Sequence, residues 1–305
     1  MTPTLIVLIP LLVVPVVALL AFAGCKPFAA DTSTPPGTAP GNGDHPGNGN
    51  GNGRPSYADT ILKGGEGLVA YWTLSDVATT VAVDKGPSAL NGTYRGAPVL
   101  GQGGGALADR EPSDGCTRFG GADLVEVPHS ALLNPGPNLR FTFEIWVRHV
   151  DAAGHAGDTQ TIASSRGKAG GDDTGWELYL SYGNDGTPTY KARVFGGGTN
   201  ASATMAAGAG AVGGAWHLVA LIYDGTGAAP SVTVDIRIVG DPNRYTETKS
   251  PAGYASTTDA SPFVIAAFGA GNPQRPFTGD LDEAAFYNTA LSPTQIDAHV
   301  AASRP

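Results

Sequence analysis

Positive charge and cysteine are what this chain has least of. Across 305 residues, 18 Lys and Arg stand against 27 Asp and Glu, a formal net charge of -9. A nucleic-acid binder needs a basic stripe to displace counterions from phosphates, so that class is excluded. The two cysteines, Cys25 and Cys116, can build neither a disulfide framework nor a four-cysteine zinc site. Several catalytic patterns are missing as well. There is no His-Glu-x-x-His and no Gly-x-Ser-x-Gly, and Gly167-Lys168 lacks both the upstream glycine and the following hydroxyl of a phosphate loop. Gly208–Gly213 matches a dinucleotide-binding spacing in letters, yet it leads into a strand pattern instead of joining a strand to a helix. Apolar residues make up 41% of the chain, which is enough for a core and excludes wholesale disorder.

What is present begins with an uninterrupted apolar run, Leu5–Ala23, of 19 residues. A spanning helix needs about 20 such residues, and a signal-peptide core about 7–15. Pro10 and Pro15 would each remove a helical hydrogen bond. The run ends in Phe22-Ala23-Gly24-Cys25, which resembles the bacterial lipobox. The resemblance implies lipidation of Cys25 after cleavage. The departures are Phe22 where leucine is usual and the absence of Lys or Arg before the run. A lipidated anchor, a retained apolar anchor and simple secretion remain open; each places the rest of the chain outside the cytoplasm, and either anchor holds it at the cell envelope. In residues 31–56, Gly, Pro and Asn fill 16 of 26 positions, too polar and flexible to offset ordering entropy. The expected organisation is therefore a leader or anchor over 1–25, a flexible linker over 26–57 and one folded head over 58–305.

Within the head, short alternating segments are separated by glycine-rich turns. In Leu139–Val150, Phe141, Phe143, Ile145 and Val147 alternate with Thr142, Glu144, Trp146 and Arg148. Gly175–Tyr182 and Thr189–Phe195 flank a Gly183–Gly186 turn, and Ala215–Asp224 precedes Ser231–Val239. Pro262–Phe268 and Leu281–Tyr287 complete the strands, and the low-complexity stretch 196–214 reads as a long loop. One helix announces itself: Ser292-Pro293-Thr294-Gln295 supplies an N-cap, a first-turn proline and a capping box. The fold class is all-β, an antiparallel sandwich with a short C-terminal helix. Cys116 reads as a buried thiol.

The ordered blocks Gly67–Leu74, Phe119–Pro128, Phe141–Arg148, Ala215–Ala220 and Phe277–Asn288 resemble the laminin-G-like domain of the concanavalin A-like lectin/glucanase superfamily. The resemblance implies a two-sheet jelly roll and one structural calcium, with Asp84 and Asp282 at the matching positions; the alternative is that Asp84 only shapes its turn and Asp282 is solvated. The glucanases' Glu-x-Asp-x-x-Glu run is absent. The expected function is a surface-tethered, non-catalytic module recognising glycans or extracellular proteins. Trp146, Trp176 and Tyr179 are the candidate sugar-stacking rings, set against the usual place of large aromatics on alternating strands, which is the core of the sandwich. A carbohydrate-active hydrolase or lyase using Glu144 or Glu283, and a purely structural envelope subunit, are the competing readings. The net negative charge adds an expectation that the head avoids anionic polymers.

Overall fold

A computed structural model describes residues 55–149, 154–169, 172–196, 200–204, 214–257, 260–269 and 274–305. Cys25 and the apolar run lie outside the described residues. The described chain opens with helix α1 (Tyr57–Lys63), then β1 (Leu68–Trp72), β2 (Val81–Ala82), β3 (Gly92–Arg95), β4 (Val99–Gly103), β5 (Gly115–Gly120) and β6 (Leu124–Val127). Longer strands follow: β7 (Arg140–His149), β8 (Thr159–Ala169), β9 (Asp172–Tyr182), β10 (Pro188–Val194) and β11 (Asn200–Thr204). The chain closes with β12 (His217–Asp224), β13 (Ser231–Ile238), β14 (Arg244–Lys249), β15 (Phe263–Ile265), β16 (Thr278–Tyr287) and helix α2 (Pro293–Ala302).

The strands form two eight-stranded antiparallel sheets. Sheet A runs β14-β13-β12-β7-β16-β5-β4, with β1 also paired to β16, and sheet B runs β11-β10-β9-β8-β15-β6-β3-β2. Side-chain alternation turns one row of each strand toward the other sheet. Phe141, Phe143, Ile145 and Val147 of β7 meet Trp176, Leu178 and Leu180 of β9 and Tyr190, Ala192 and Val194 of β10 in one core. At its centre the Trp176 ring lies 5.4–5.9 Å from Phe143, Phe141, Phe263 and Phe286, and its Nε1 donates to Leu133 O at 3.0 Å. The expected jelly-roll sandwich is thus the observed architecture.

Sheet A is also buried on its outward side. There α1, α2 and the β4–β5 connection pack a second core of Tyr57, Ile61, Tyr71, Leu107, Trp146, Leu291, Ile296 and Val300. The α2 capping box forms as its residues dictate, Ser292 Oγ accepting from Gln295 N and Gln295 Oε1 from Ser292 N. Helix α1 was not legible in the sequence: its seven residues follow a linker-like stretch and bury only Tyr57 and Ile61. Tyr57, assigned above to the linker, belongs to the head, because its hydroxyl accepts from Trp146 Nε1 at 3.0 Å within the second core. The stretch 196–214 is not simply a loop either. It contains β11, which pairs with β10 from Thr189↔Thr204 to Arg193↔Asn200.

Replacing Trp176 with Ala leaves a large void among four rings, and denaturant unfolding should show a loss of about 3–5 kcal/mol. A loss below about 1 kcal/mol would mean that this ring does not centre the core.

Candidate functional site

Asp84 sits in the turn after β2. Its Oδ1 accepts from Tyr71 N at 2.8 Å and Gly86 N at 2.7 Å, and its Oδ2 accepts from Leu90 N at 2.7 Å. Both oxygens are committed to backbone amides, which ties the turn to β1. Asp84 therefore acts as a turn former, and it does not lie in the carboxylate group around Asp282.

That group is built by a bulge. Along β16, Leu281, Ala284 and Phe286 face the sandwich core, while Ala285 and Tyr287 face the second core. The register against β7 jumps between Asp282 and Ala285, and Glu283 takes the left-handed region at φ 51°. An extra residue is thereby fitted into the strand. The adjacent carboxylates of Asp282 and Glu283, which regular alternation would send to opposite sides, come together with Asp114 from the β4–β5 connection. Their ligand atoms lie within 4.8 Å of one another.

Asp282 Oδ2 accepts from Ala106 N at 2.8 Å, Asp114 Oδ2 from Leu107 N at 2.9 Å, and Glu283 Oε2 from the Tyr71 hydroxyl. Asp282 is wholly buried, which overturns the expectation of a solvated side chain, and its Oδ1 has no hydrogen-bond partner. Among the described residues no Lys, Arg or His forms an ion pair with any of the three carboxylates. Burial first, and then the mutual charge of the group, pushes Asp282 and Glu283 well above the usual carboxylate range. Burial raises Asp114 to about 6. Such a cluster is neutralised either by protons or by a cation. The donors are all hard oxygens, with no sulfur or imidazole among them, and one oxygen awaits a partner; this set fits calcium or magnesium and not a thiophilic metal.

Beside it lies a second buried network. His299 of α2 places Nε2 2.9 Å from Glu66 Oε2 and Nδ1 2.8 Å from Glu144 Oε1, and Glu144 Oε1 also accepts from the Tyr287 hydroxyl at 2.9 Å. The Nδ1 contact is an ion pair whose direction does not meet hydrogen-bond geometry. Burial alone would push this imidazole down, but the two flanking carboxylates outweigh it and hold the pKa at about 9. Arg110 completes the fastening by donating to Ala302 O, after α2 begins its last turn, and to Pro55 O, before α1.

Neither candidate tryptophan presents a face to a ligand. Trp146 and Trp176 are both wholly buried, one in each core, because β7 is covered on both sides and β9 on its inner side. Tyr179 lies on the outward row of β9 and is 3% exposed, its hydroxyl accepting from Arg193 Nη2 at 2.9 Å. It belongs to the outer face of sheet B but is covered by its neighbours, so ring stacking on a sugar is corrected for all three residues. Cys116 is a buried free thiol that burial pushes up to about 12, which removes it as a nucleophile. Asp114, Glu66 and His299 were missed in the sequence because each reads as a solitary polar residue until the fold assembles them.

Residues 119–297, well over half of the chain, match a laminin-G family model described as the concanavalin A-like lectin/glucanases superfamily. Among solved structures, the binding domain of Paraclostridial Mosquitocidal Protein 1 is similar with a TM-score of 0.52 at 15% identity, over 77% of this chain and 52% of that one. The binding domain of botulinum neurotoxin serotype D is similar with a TM-score of 0.51 at 12% identity, over 77% and 51%. This chain spans about half the length of these structures, and at such identities the likeness is one of fold alone. No curated protein matches the sequence.

The His299 network has a signed pH dependence. Its folded pKa of about 9 exceeds the unfolded 6.5, so its contribution is complete below pH 6.5 and is lost as pH rises toward 9. Unfolding free energy should fall over that window by up to roughly 3 kcal/mol, and His299→Gln should flatten the curve. An unchanged profile in the variant would remove the network from the account.

Proposed function

The chain belongs to the concanavalin A-like lectin/glucanase superfamily, and on that premise we propose that its head is a non-catalytic recognition module for glycans, held at the cell envelope by the segment that precedes it. The observation that carries this reading is the unequal treatment of the two sheets. Glu144 and Glu283, the acids a hydrolase would call on, are 0% and 3% exposed beneath the helical cap, where no polymer reaches them. The strands β8, β9 and β10, in contrast, turn a row of half-exposed polar residues outward, including Thr159, Ser181, Thr189, Lys191 and Arg193. Polar side chains set in register on a rigid sheet suit recognition of hydroxyl-rich surfaces. The two similar solved structures are themselves binding domains, which agrees with this reading.

In this reading a hard divalent cation, calcium foremost, is a structural part of the cap, held by Asp114, Asp282 and Glu283. Bound there, it supplies the positive charge that the buried carboxylates lack, and it fastens the β4–β5 connection to β16. The anchoring segment acts through a lipid on Cys25 or through the retained apolar run.

Two measurements test these statements. Purified full-length chain presented to neutral and acidic polysaccharides should be retained by at least one without releasing reducing ends; turnover, or silence across the panel, overturns the recognition reading. At pH 7, calcium at about 100 times its Kd should add roughly 2.7 kcal/mol of stability, or about 5–10 °C in Tm. Asp282→Asn should abolish that shift while raising the metal-free Tm at pH 7, since a buried amide, unlike the carboxyl, needs no proton taken up on folding. An Asn variant that still responds to calcium would place the cation elsewhere.

A further inference from the structure

The outward rows of β9 and β10 are interlocked by register. Lys191 lies opposite Tyr179 and Arg193 opposite Glu177, while Thr161 of β8 lies opposite Tyr179 from the other side. Arg275 enters from the segment before β16, whose backbone is tied down where Thr161 N donates to Arg275 O at 2.7 Å. Arg166 of β8 is clasped between two rings, 4.4 Å from the centroid of Phe195 and 4.1 Å from that of Phe268. The Arg193 guanidinium lies 5.1 Å from the Tyr179 centroid and 5.5 Å from that of Phe195. Four cations thus share one area of a protein whose net charge is -9.

Among the described residues two carboxylates stand beside them, Glu177 wholly buried and Asp173 with 33% of its side-chain surface exposed. Asp173 Oδ2 is 2.6 Å from Arg166 Nη2. Glu177 is wholly buried, accepting from the Thr161 hydroxyl at 2.7 Å with Arg275 Nη1 at 3.5 Å, while its Oε2 has no hydrogen-bond partner. These anions hold the Arg166 and Arg275 guanidinium groups in place and offset part of their charge, leaving four cations against two carboxylates among the described residues. Arg275 keeps 39% of its side-chain surface exposed, Lys191 and Arg193 are half-exposed, and Lys191 has no carboxylate partner among the described residues.

We propose that this patch, centred on Lys191, Arg193 and Arg275 over Tyr179, is a binding subsite for a glycan bearing anionic groups, carboxylate or sulfate. Cations two residues apart on a strand stand roughly 7 Å apart on one face, a spacing that grips successive charges of an extended polymer. The planar guanidinium fork matches carboxylate and sulfate geometry, and stacking on rings fixes its orientation before the ligand arrives. The patch is a local exception to the repulsion that the net charge implies. The inference rests on the recognition reading above and deepens it.

The test uses full-length protein with polygalacturonate, dextran sulfate and neutral dextran as probes, in low and in physiological salt. Binding to polygalacturonate or dextran sulfate, weakened by salt, is expected for the unaltered chain; the two acidic probes separate a carboxylate from a sulfate preference. Lys191→Glu and Arg275→Glu, alone and together, should each lower that affinity about tenfold or more. Lys63→Glu, on exposed α1 at the other sheet, should leave it unchanged, and unaltered unfolding curves establish that the variants fold. Acidic probes that bind the variants as tightly as the parent overturn the subsite. Preference for neutral dextran overturns the anionic assignment and leaves the recognition reading standing. Silence toward all three here and across the wider polysaccharide panel overturns both.

Discussion

Burying negative charge without an adjacent cationic side chain is the constraint around which the outer side of sheet A is arranged. Asp114, Asp282 and Glu283 converge beneath the cap, and each must be protonated or share a cation to remain there. The neighbouring Glu144 meets the same demand differently, through an imidazolium held between it and Glu66. Both solutions draw distant parts of the chain together: the β4–β5 connection against β16 in one case, α2 and the approach to β1 against β7 in the other. The cap is therefore fastened as much by charge balance as by apolar area.

The two outer faces are consequences of this arrangement. Sheet A carries two apolar layers, one against sheet B and one beneath the helices, so β7 and β16 are buried on both sides. Among the described residues no helix covers β8 to β10 of sheet B, whose outward side carries half-exposed polar residues such as Thr159, Ser181, Lys191 and Arg193 beside the buried Glu177 and Tyr179. A rigid, doubly covered sheet behind an open one gives the exposed groups a stable base, with side chains such as Arg166 and Arg193 oriented by ring contacts.

Much of the sandwich was legible because alternation is a local signal. The runs in β7, β9 and β13 declare their inward rows residue by residue, the Gly183–Gly186 turn joins β9 to β10, and the capping box marks α2 within four residues. What was illegible depended on contacts between remote segments. Alternation in β7 sends Glu144 and Trp146 away from the core, and nothing local reveals that a second core waits for them. Asp282 and Glu283 read as a pair facing opposite ways, because the left-handed Glu283 arises only where β16 must satisfy β7 and β1 together. Asp84 resembles a ligand in its Asp-x-Gly setting, yet its oxygens are spent on amides that come close only after β1 and the turn have met.

Arg110 joins the two ends of the head, one guanidinium donating both to Pro55 O and to Ala302 O. A pull applied at Pro55 would therefore be shared with the last turn of α2 before it reached any strand. Because α2 is itself pinned through His299, the pull is spread in shear over the helical layer and does not unzip β1 from its neighbour one bond at a time. The two ends of the described chain are thereby joined through one side chain on the face opposite sheet B.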